Sequence, residues 1–164
     1  MIVPQANDID KILDLPLAVA DGANTKYRII KRYDFDGRQA DYYIEALGGL
    51  GLLKSESGMY SLTDEGRKYR RLDPLQQKLM IIRKMVALPI IAIVLGELIA
   101  NDRRVISKDE IESLIKENTP IRGTTVPRRA ECLFKWLGWI GDETGVLSIE
   151  GEVIRLRIAE KSIP

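Results

Sequence analysis

The chain carries the same order of local signals twice, and this duplication limits the folds open to it. Each half reads as short helices, the last of which ends in glycine, followed by two short extended segments. In the first half, Asp36 is a predicted N-cap of a helix whose apolar residues recur at helical spacing. Those residues are Ala40, Tyr43, Ile44 and Leu47. The repeated pattern therefore predicts two similar small units.

Further helix signals precede this helix in the first half. Asp8 is placed to cap a first helix, and Pro16 is placed in the first turn of a second short helix. Asn24 or Thr25 then opens a third helix, which carries the apolar residues Tyr27, Ile29 and Ile30. After the glycine-rich end of the fourth helix, a turn signal at residues 55–58 separates two extended segments, which are predicted to pair as a hairpin.

The second half repeats this plan. Ser107 and Glu110 have the spacing of a capping box, so they predict the start of a helix. Thr125 is a predicted cap of the next helix. The core residues of that helix are predicted to be Ala130, Leu133, Phe134 and Leu137. Residues 146–149 and 153–158 are predicted to form a second hairpin.

Helix, turn, helix and then hairpin is the plan of a winged helix. The predicted fold class is mainly α with small β-hairpin wings, arranged as two tandem winged-helix (helix-turn-helix) units joined by a helical connector. The predicted boundaries are residues 1–72 for the first unit, 73–86 for the connector and 87–164 for the second unit.

Composition excludes several classes of active site. The chain has no histidine, and Cys132 is its only cysteine. A zinc finger, a histidine-dependent nucleophile and a disulfide framework are therefore excluded, and no glycine-rich phosphate loop is present. We predict no catalytic residue, no metal ligand and no cofactor, so the chain is not expected to be an enzyme.

The same sequence features predict a cytoplasmic protein with no membrane partner. A lone thiol is typical of a reducing compartment. The first residues show no signal peptide, and the longest apolar run, Leu88–Leu95, is far shorter than the roughly 20 residues of a membrane span.

Charge is unevenly distributed although the net charge is only +1. Residues 1–25 are acidic, whereas residues 66–84 are strongly basic and contain Asp73 as their one carboxylate. The cations assigned to non-specific attraction of DNA phosphates are Arg67, Lys68, Arg70 and Arg71. Such clustering is typical of a phosphate-binding face, although any single lysine or arginine is more often simply solvated.

The helix after Asp36 is predicted to recognise DNA. Its residues outside the core stripe include Arg38 and Gln39, which suit guanine and adenine edges respectively. We assign base readout to these two residues. Tyr42 and, on the first wing, Lys54 are assigned to the DNA backbone.

The last long helix of the second half is the second predicted recognition helix. Arg128 and Arg129 are assigned to base readout. Thr124, Thr125 and Lys135 are assigned to the backbone, because amide groups at a helix start bind phosphate. The outward-facing set is predicted to include Glu131 and Cys132, with Trp136 open between core and surface and Trp139 in the core.

Two runs of residues resemble motifs in the tandem winged-helix domains of many type II restriction endonucleases. The first is Arg38-Gln39-Ala40-Asp41-Tyr42-Tyr43 with Ala46-Leu47 and Leu50-Gly51-Leu52; the second is Thr124-Thr125, Arg128-Arg129-Ala130 and Trp136-Leu137-Gly138-Trp139-Ile140. The resemblance extends from about Asn7 to Ile149, with Gly37 and Cys132 as departures. It implies a module that recognises DNA and precedes a nuclease domain. Because no acidic nuclease core is visible in this chain, catalysis is not carried over.

The primary hypothesis is sequence-selective binding of double-stranded DNA by a recognition module of a restriction-endonuclease-like protein, with a nuclease domain or another protein as a further partner. One alternative is a free-standing winged-helix transcription regulator. Another is a protein-interaction scaffold that does not bind DNA, which an exposed Trp136 and the acidic residues of segment 141–152 would favour. A continuous positive face would favour DNA, and scattered charge would favour protein contacts.

Overall fold

A computed structural model describes residues 1–100 and 102–157. The described chain is mainly helical with two small antiparallel sheets, as predicted, and it forms two compact units, Ile2–Pro89 and a second from Ile90 onward. The first unit contains α1 (Ile9–Ala20), α2 (Lys26–Tyr33), α3 (Gly37–Gly49), β1 (Leu53–Glu56), β2 (Met59–Leu62), α4 (Asp64–Arg70) and α5 (Pro74–Val86). The second contains α6 (Pro89–Ala100), β3 (Val105–Ser107), α7 (Lys108–Asn118), α8 (Thr125–Thr144), β4 (Leu147–Glu150) and β5 (Val153–Leu156).

The helix α1 is continuous through Pro16, so the prediction that Pro16 opens a separate short helix was wrong. Asp8 caps the helix as predicted, accepting a hydrogen bond from the backbone N–H of Lys11 at 3.3 Å. A proline inside a helix removes one backbone hydrogen bond. Burial of Leu15, Pro16 and Val19 against the unit's core favours the continuous helix despite that loss.

The helices α2 and α3 begin at the predicted caps. Thr25 accepts from the N–H of Arg28, and Asp36 begins α3. A left-handed residue, Asp34, ends α2 and turns the chain toward α3. Phe35 in this turn is buried and stacks on Tyr43 of α3 at a centroid distance of 4.8 Å, which fixes the angle between the two helices.

The first sheet is the predicted hairpin of β1 and β2. Glu56 pairs with Met59 across a two-residue turn whose residues, Ser57 and Gly58, both have positive φ. Such a turn matches the twist of the strands on either side. An isolated antiparallel bridge between Thr25 and Met59 adds the segment before α2 to the edge of the hairpin.

The helices α4 and α5 complete the first unit. Tyr69 of α4 is fully buried, and its hydroxyl donates to the carbonyl oxygen of Leu13 at 2.7 Å. A capping box of Asp73 and Gln76 begins α5. The region 73–86 was predicted as a connector; in the structure α5 contacts α1 and α4 and lies within the first compact unit.

The second sheet has three strands in the order β3-β5-β4. The hairpin of β4 and β5 was predicted, whereas β3 was not. Ile154 in the central strand pairs with Ile106 on one side and Ile149 on the other. The predicted second strand extended to Ile158, which lies outside the described residues.

The capping box of Ser107 and Glu110 begins α7 as predicted. Ser107 is also the last residue of β3, so the strand runs directly into the helix. The backbone N–H of Lys108, the next residue, donates to the carbonyl oxygen of Glu152 in the turn between β4 and β5 at 3.0 Å. A glycine in α8 allows β4 to approach closely, since a Cβ on Gly141 would lie 2.6 Å from the carbonyl oxygen of Leu147.

The two units share one order of elements. Each has a helix, an extended segment that pairs with the second hairpin strand, two further helices and the hairpin. In the first unit that extended segment is only the bridge at Thr25, and in the second it is the strand β3. The helix preceding the hairpin is α3 in the first unit and α8 in the second.

Candidate nucleic-acid interface

The first turn of α3 presents one arginine to solvent. The side chain of Arg38 is exposed and makes no ion pair or hydrogen bond with any residue that the structure describes. Helical spacing places Asp41 and Tyr42 on the same face as Arg38. Asp41 is exposed, and Tyr42 is half-buried. A guanidinium without an internal partner remains available to an external acceptor.

Gln39 stabilises the start of α3. Its side-chain oxygen accepts from the N–H of Asp36 at 3.0 Å, while its own N–H donates to the Asp36 carboxylate at 2.7 Å. The two residues form a capping box. A two-point contact with adenine needs the amide oxygen of Gln39 as an acceptor, so the cap competes with the base readout predicted for this residue.

A lysine at the start of α2 lies against α3. The Lys26 ammonium forms an ion pair with Asp41 at 2.7 Å, and a Cβ on Gly37 would lie 3.8 Å from the Lys26 Nζ. The starts of α2 and α3 therefore meet beside Arg38. Lys54, which is predicted to contact the DNA backbone, is exposed on β1, and its side chain has no partner among the residues described.

Sequence reasoning missed the exposed aromatic ring on α2. Tyr27 is 67% exposed, and the Lys31 ammonium lies 5.7 Å from its ring centroid. Tyr27 had been grouped with the apolar residues Ile29 and Ile30 of this helix. Helical periodicity accounts for the exposure of Tyr27, because Tyr27 lies two positions from the fully buried Ile29 and so points away from the core.

The start of α8 lacks a side-chain cap. The N-cap is Thr124, not Thr125 as predicted, and neither its hydroxyl nor an acidic residue in the first turn binds the amide groups there. The preceding Gly123 has φ +65, and its carbonyl oxygen accepts a hydrogen bond from the N–H of Val126 at 3.2 Å. Uncapped amides and the helix dipole favour an anion at this position.

The two arginines of α8 differ in environment. Arg128 is exposed, and its side chain has no partner within residues 1–100 and 102–157. Arg129 is half-buried, and its Nε atom is buried without a hydrogen-bond partner in the described part of the chain. Helical spacing explains the difference, because Arg129 shares its face with the fully buried Leu133 and Trp136.

Glu131 forms ion pairs with two lysines near Arg128. It forms a hydrogen-bonded ion pair with Lys108 at the start of α7, and its other oxygen lies 3.8 Å from the Lys135 ammonium. The hydrogen bond from Lys108 is the main cause of a lowered pKa for Glu131, and the same bond raises the pKa of Lys108. At neutral pH this face of α8 therefore carries three cations and one carboxylate.

The same arrangement of three side chains occurs in both units. In each, an arginine in the first turn of the helix before the hairpin is followed three residues later by a carboxylate, which pairs with the first lysine of the preceding helix. The matching residues are Lys26, Arg38 and Asp41 in the first unit and Lys108, Arg128 and Glu131 in the second. A sequence signal accompanies it, because Arg-x-Ala-(Asp/Glu) and a later Leu-Gly-x-(Leu/Ile)-Gly recur in both helices.

Two residues of α8 that were predicted to face outward or left open are in the core. Cys132, predicted to face outward, and Trp136, left open between core and surface, are both fully buried. Burial raises the pKa of the Cys132 thiol. The long helix is covered on a wider face than a simple core stripe, because Gly138 and Gly141 admit the strand β4. Because Trp136 is buried, it does not support the protein-interaction scaffold that an exposed Trp136 would favour. Trp139, predicted to be in the core, is half-buried.

The basic segment after residue 66 is largely ion-paired. Arg67 pairs with Asp64, Lys68 with Glu65 at 2.6 Å, and Arg70 with Asp21 at 3.3 Å. The two carboxylates of the first turn of α4 lie just before the segment in sequence, and Asp21 comes from the acidic first 25 residues. The side chain of Arg71 has no such partner among the described residues. Charges that are separated along the sequence are thus partly neutralised in space.

The β4–β5 hairpin is acidic and partly apolar. Glu150 pairs with Arg155 at 3.0 Å, and Glu152 lies in the turn. Val146, just before β4, and Ile149 on β4 are exposed. This surface differs from the β1–β2 hairpin, where Lys54 faces solvent.

No group of three or more His, Cys, Asp or Glu side chains in the described regions is placed to hold a metal ion. Searched over the same regions, no single helix is long and apolar enough to cross a membrane; only α5 and α6 taken together meet that length and composition.

The chain belongs to a family described as a domain of unknown function, DUF7226, whose profile matches residues 11–145. Comparison with curated proteins and with solved structures found no match.

Proposed function

We propose that this chain binds double-stranded DNA through two winged-helix units, with α3 and α8 as recognition helices. The observation that carries the proposal is the pair of exposed arginines, Arg38 and Arg128, in equivalent positions of the two units. Each lies in the first turn of the helix before a hairpin, without an internal partner among the described residues. Recognition helices of this class contact base edges through their N-terminal residues.

The order of elements supports a winged-helix assignment for each unit. A helix, a short extended segment, two helices and a hairpin follow one another, and the extended segment pairs with the second hairpin strand through Thr25 or β3. The hairpins are then the wings. The two units together correspond to the tandem winged-helix module that the two motifs resemble.

The side chains beside the two arginines suit phosphate contacts. In the first unit, Lys26 and Lys54 are cationic, and Tyr27 offers an exposed ring that suits the sugar face. In the second, Lys108 and Lys135 lie around Arg128, and the uncapped start of α8 at Thr124 and Thr125 adds backbone amides. We assign positioning on the DNA backbone to these groups and base readout to the arginines. Arg129 supports the readout from the edge of the buried face.

This role is that of a recognition module in a restriction-endonuclease-like protein, and cleavage would belong to a separate nuclease domain. A protein-binding role for the second unit has one observation in its favour, the acidic wing with its exposed Val146 and Ile149. The two roles are compatible, since the wing and the first turn of α8 are different parts of the unit.

Selection of bound sites from a random pool of duplexes tests the proposal. Fluorescence anisotropy would then measure the affinity for the selected site and for random duplex. Arg38→Ala and Arg128→Ala should each weaken binding to the selected site about 5- to 150-fold, the effect of losing a contact worth about 1–3 kcal/mol, with a smaller effect on random duplex. Arg71→Ala is the matched control, because this unpaired arginine lies outside both recognition helices; it should weaken both affinities equally.

Two results would contradict the proposal. One is the absence of any enriched site together with an affinity for duplex that does not change with salt, because phosphate binding by cations releases counterions. The other is retention of the parental preference by both folded recognition-helix variants.

A further inference from the structure

An open groove runs between α4 and α5, away from the recognition helices in sequence. Its volume is about 780 Å³. The residues that line it are Glu65, Lys68, Leu72, Gln76, Leu79, Met80, Arg83, Lys84 and Ala87. All of them belong to the first compact unit, so the groove is formed within that unit.

The floor of the groove is apolar and accessible to solvent. Leu79 is 50% exposed; Leu75, one helical turn before it on α5, lies just outside the lining of the groove and is 65% exposed. Leu72 and Met80 are half-buried beside them. Single exposed leucines are ordinary on protein surfaces, but a row of apolar side chains along one groove is typical of a site that another apolar surface covers.

The rim of the groove is cationic. Lys68 and Lys84 share one carboxylate, Glu65, at 2.6 Å and 3.3 Å. Arg83 is exposed, and its side chain makes no ion pair with the residues that the structure describes. Three cations thus border the apolar floor with a single counter-charge, and the rim attracts an acidic partner.

We propose that this groove binds an amphipathic helix of a partner polypeptide, whose apolar face covers Leu75 and Leu79 and whose flanking carboxylates pair with Arg83 and the lysines. Exposed leucines one turn apart followed by a cation one turn further match the spacing of residues along one helix face. The row from Leu75 to Arg83 is about 12 Å long, so two to three turns of a partner helix cover it.

Charge decides between this occupant and two others. A second copy of the chain paired through the same groove would bring the basic rims together, and like charges at an interface are unfavourable. DNA phosphates suit the rim but not an apolar floor, since burying leucine surface against a phosphate backbone gains little. An acidic amphipathic helix satisfies the floor and the rim at once.

Two synthetic peptides of roughly 18 residues serve as the probes. Both carry leucines at positions i, i+4 and i+7; one has glutamates beside them, and the other has lysines. Binding to the full chain is followed by fluorescence anisotropy. The glutamate peptide should bind, and the lysine peptide should bind at least tenfold more weakly.

Variants of the chain locate the contact. Leu79→Asp should weaken binding of the glutamate peptide about fivefold or more, the effect of losing burial of half a leucine. Arg83→Glu should weaken the glutamate peptide and strengthen the lysine peptide. Ile99→Asp is the matched control, because Ile99 is also exposed, at 66%, but lies on α6 in the second unit; it should leave both affinities unchanged. Circular dichroism checks that each variant is folded.

Equal binding of the two peptides, or affinity unchanged by Leu79→Asp and Arg83→Glu, would overturn the proposal. Self-association of the chain that Leu79→Asp abolishes, measured by light scattering, would assign the groove to a second copy and overturn it as well. So would displacement of the glutamate peptide by duplex DNA that persists when Arg38 and Arg128 are both replaced by alanine. The proposal does not depend on DNA binding. The comparison of the two peptides and the measurements on the groove variants contain no DNA.

Discussion

Replacing Glu131 with glutamine is expected to strengthen DNA binding, whereas most substitutions at a binding surface weaken it. The carboxylate neutralises Lys108 and Lys135 on the face of α8 that carries Arg128. Its pKa is lowered by the hydrogen bond from Lys108, so the group is charged at neutral pH. Glu131→Gln leaves the shape of the side chain unchanged and releases one positive charge toward DNA.

Counterion release gives the size of the effect. Each phosphate that the protein neutralises adds about 0.9 to the slope of log affinity against log salt concentration. At about 0.1 M salt this is worth about 1.2 kcal/mol, or about eightfold in affinity. The cost in folding is at most about 1 kcal/mol, because the Glu131 side chain is 36% exposed and its ion pairs are partly screened by solvent.

The assay is a salt titration of duplex binding by fluorescence anisotropy. Glu131→Gln should bind about five- to tenfold more tightly than the parent at about 0.1 M salt, with a slope steeper by about 0.9. Glu117→Gln makes the same change in net charge at an exposed residue near the end of α7 and should have a much smaller effect. Equal effects of the two substitutions would refute the local argument and leave only a general charge effect. A weaker affinity of folded Glu131→Gln would refute the placement of DNA on this face.

Two further predictions concern stability. Gly141→Ala should lower the free energy of unfolding by about 1–2 kcal/mol, because its Cβ would lie 2.6 Å from a backbone carbonyl oxygen. Gly96→Ala, at an open helical position, should raise the free energy of unfolding by up to about 1 kcal/mol. Urea unfolding measures both changes, and changes of the same sign would contradict the close approach of β4. The ion pair of Lys108 and Glu131 should stabilise the fold most between about pH 5 and pH 10. Its contribution is lost as the pH falls through the lowered pKa of Glu131, which lies below 4.5. It is also lost as the pH rises through the raised pKa of Lys108, which lies above 10.5. Thermal melting of the parent and Glu131→Gln, extended below pH 4.5 and above pH 10.5, should show a difference that shrinks at both ends, and a constant difference would exclude the ion pair as its cause.

Local signals in the sequence predicted the parts of the fold that local interactions determine. The capping boxes at Asp36 and Ser107 and the turn at Ser57 and Gly58 depend on residues within four positions of one another. The strand β3 was missed because three residues carry too little pattern, and its pairing partner Ile154 lies beyond two intervening helices. Pro16 was misread because the packing of its neighbours, and not its own preference, keeps α1 continuous.

The candidate site was predicted as a set of residue types, but its electrostatics depends on distances in space. Arg38 and Arg128 are exposed as expected. Arg70 is paired with Asp21, which lies far away in sequence, so a count of charges along the chain overstated the basic surface. Trp136 lies three residues after the buried Leu133 and four before the buried Ile140, so its burial follows helical spacing. The close approach of β4 at Gly138 and Gly141 is not contained in apolar periodicity.

Lys108 has a mechanical consequence for the second unit. Its backbone N–H is held by the wing turn at Glu152, its side chain is held by Glu131 on α8, and it follows the last residue of β3 without a loop. A loop between strand and helix would act as a hinge and absorb movement of the wing. Here the turn of the β4–β5 hairpin, the start of α7 and α8 are linked through one residue, by a 3.0 Å backbone hydrogen bond and an ion pair. We therefore expect a contact made at this turn to affect the position of the helix that presents Arg128.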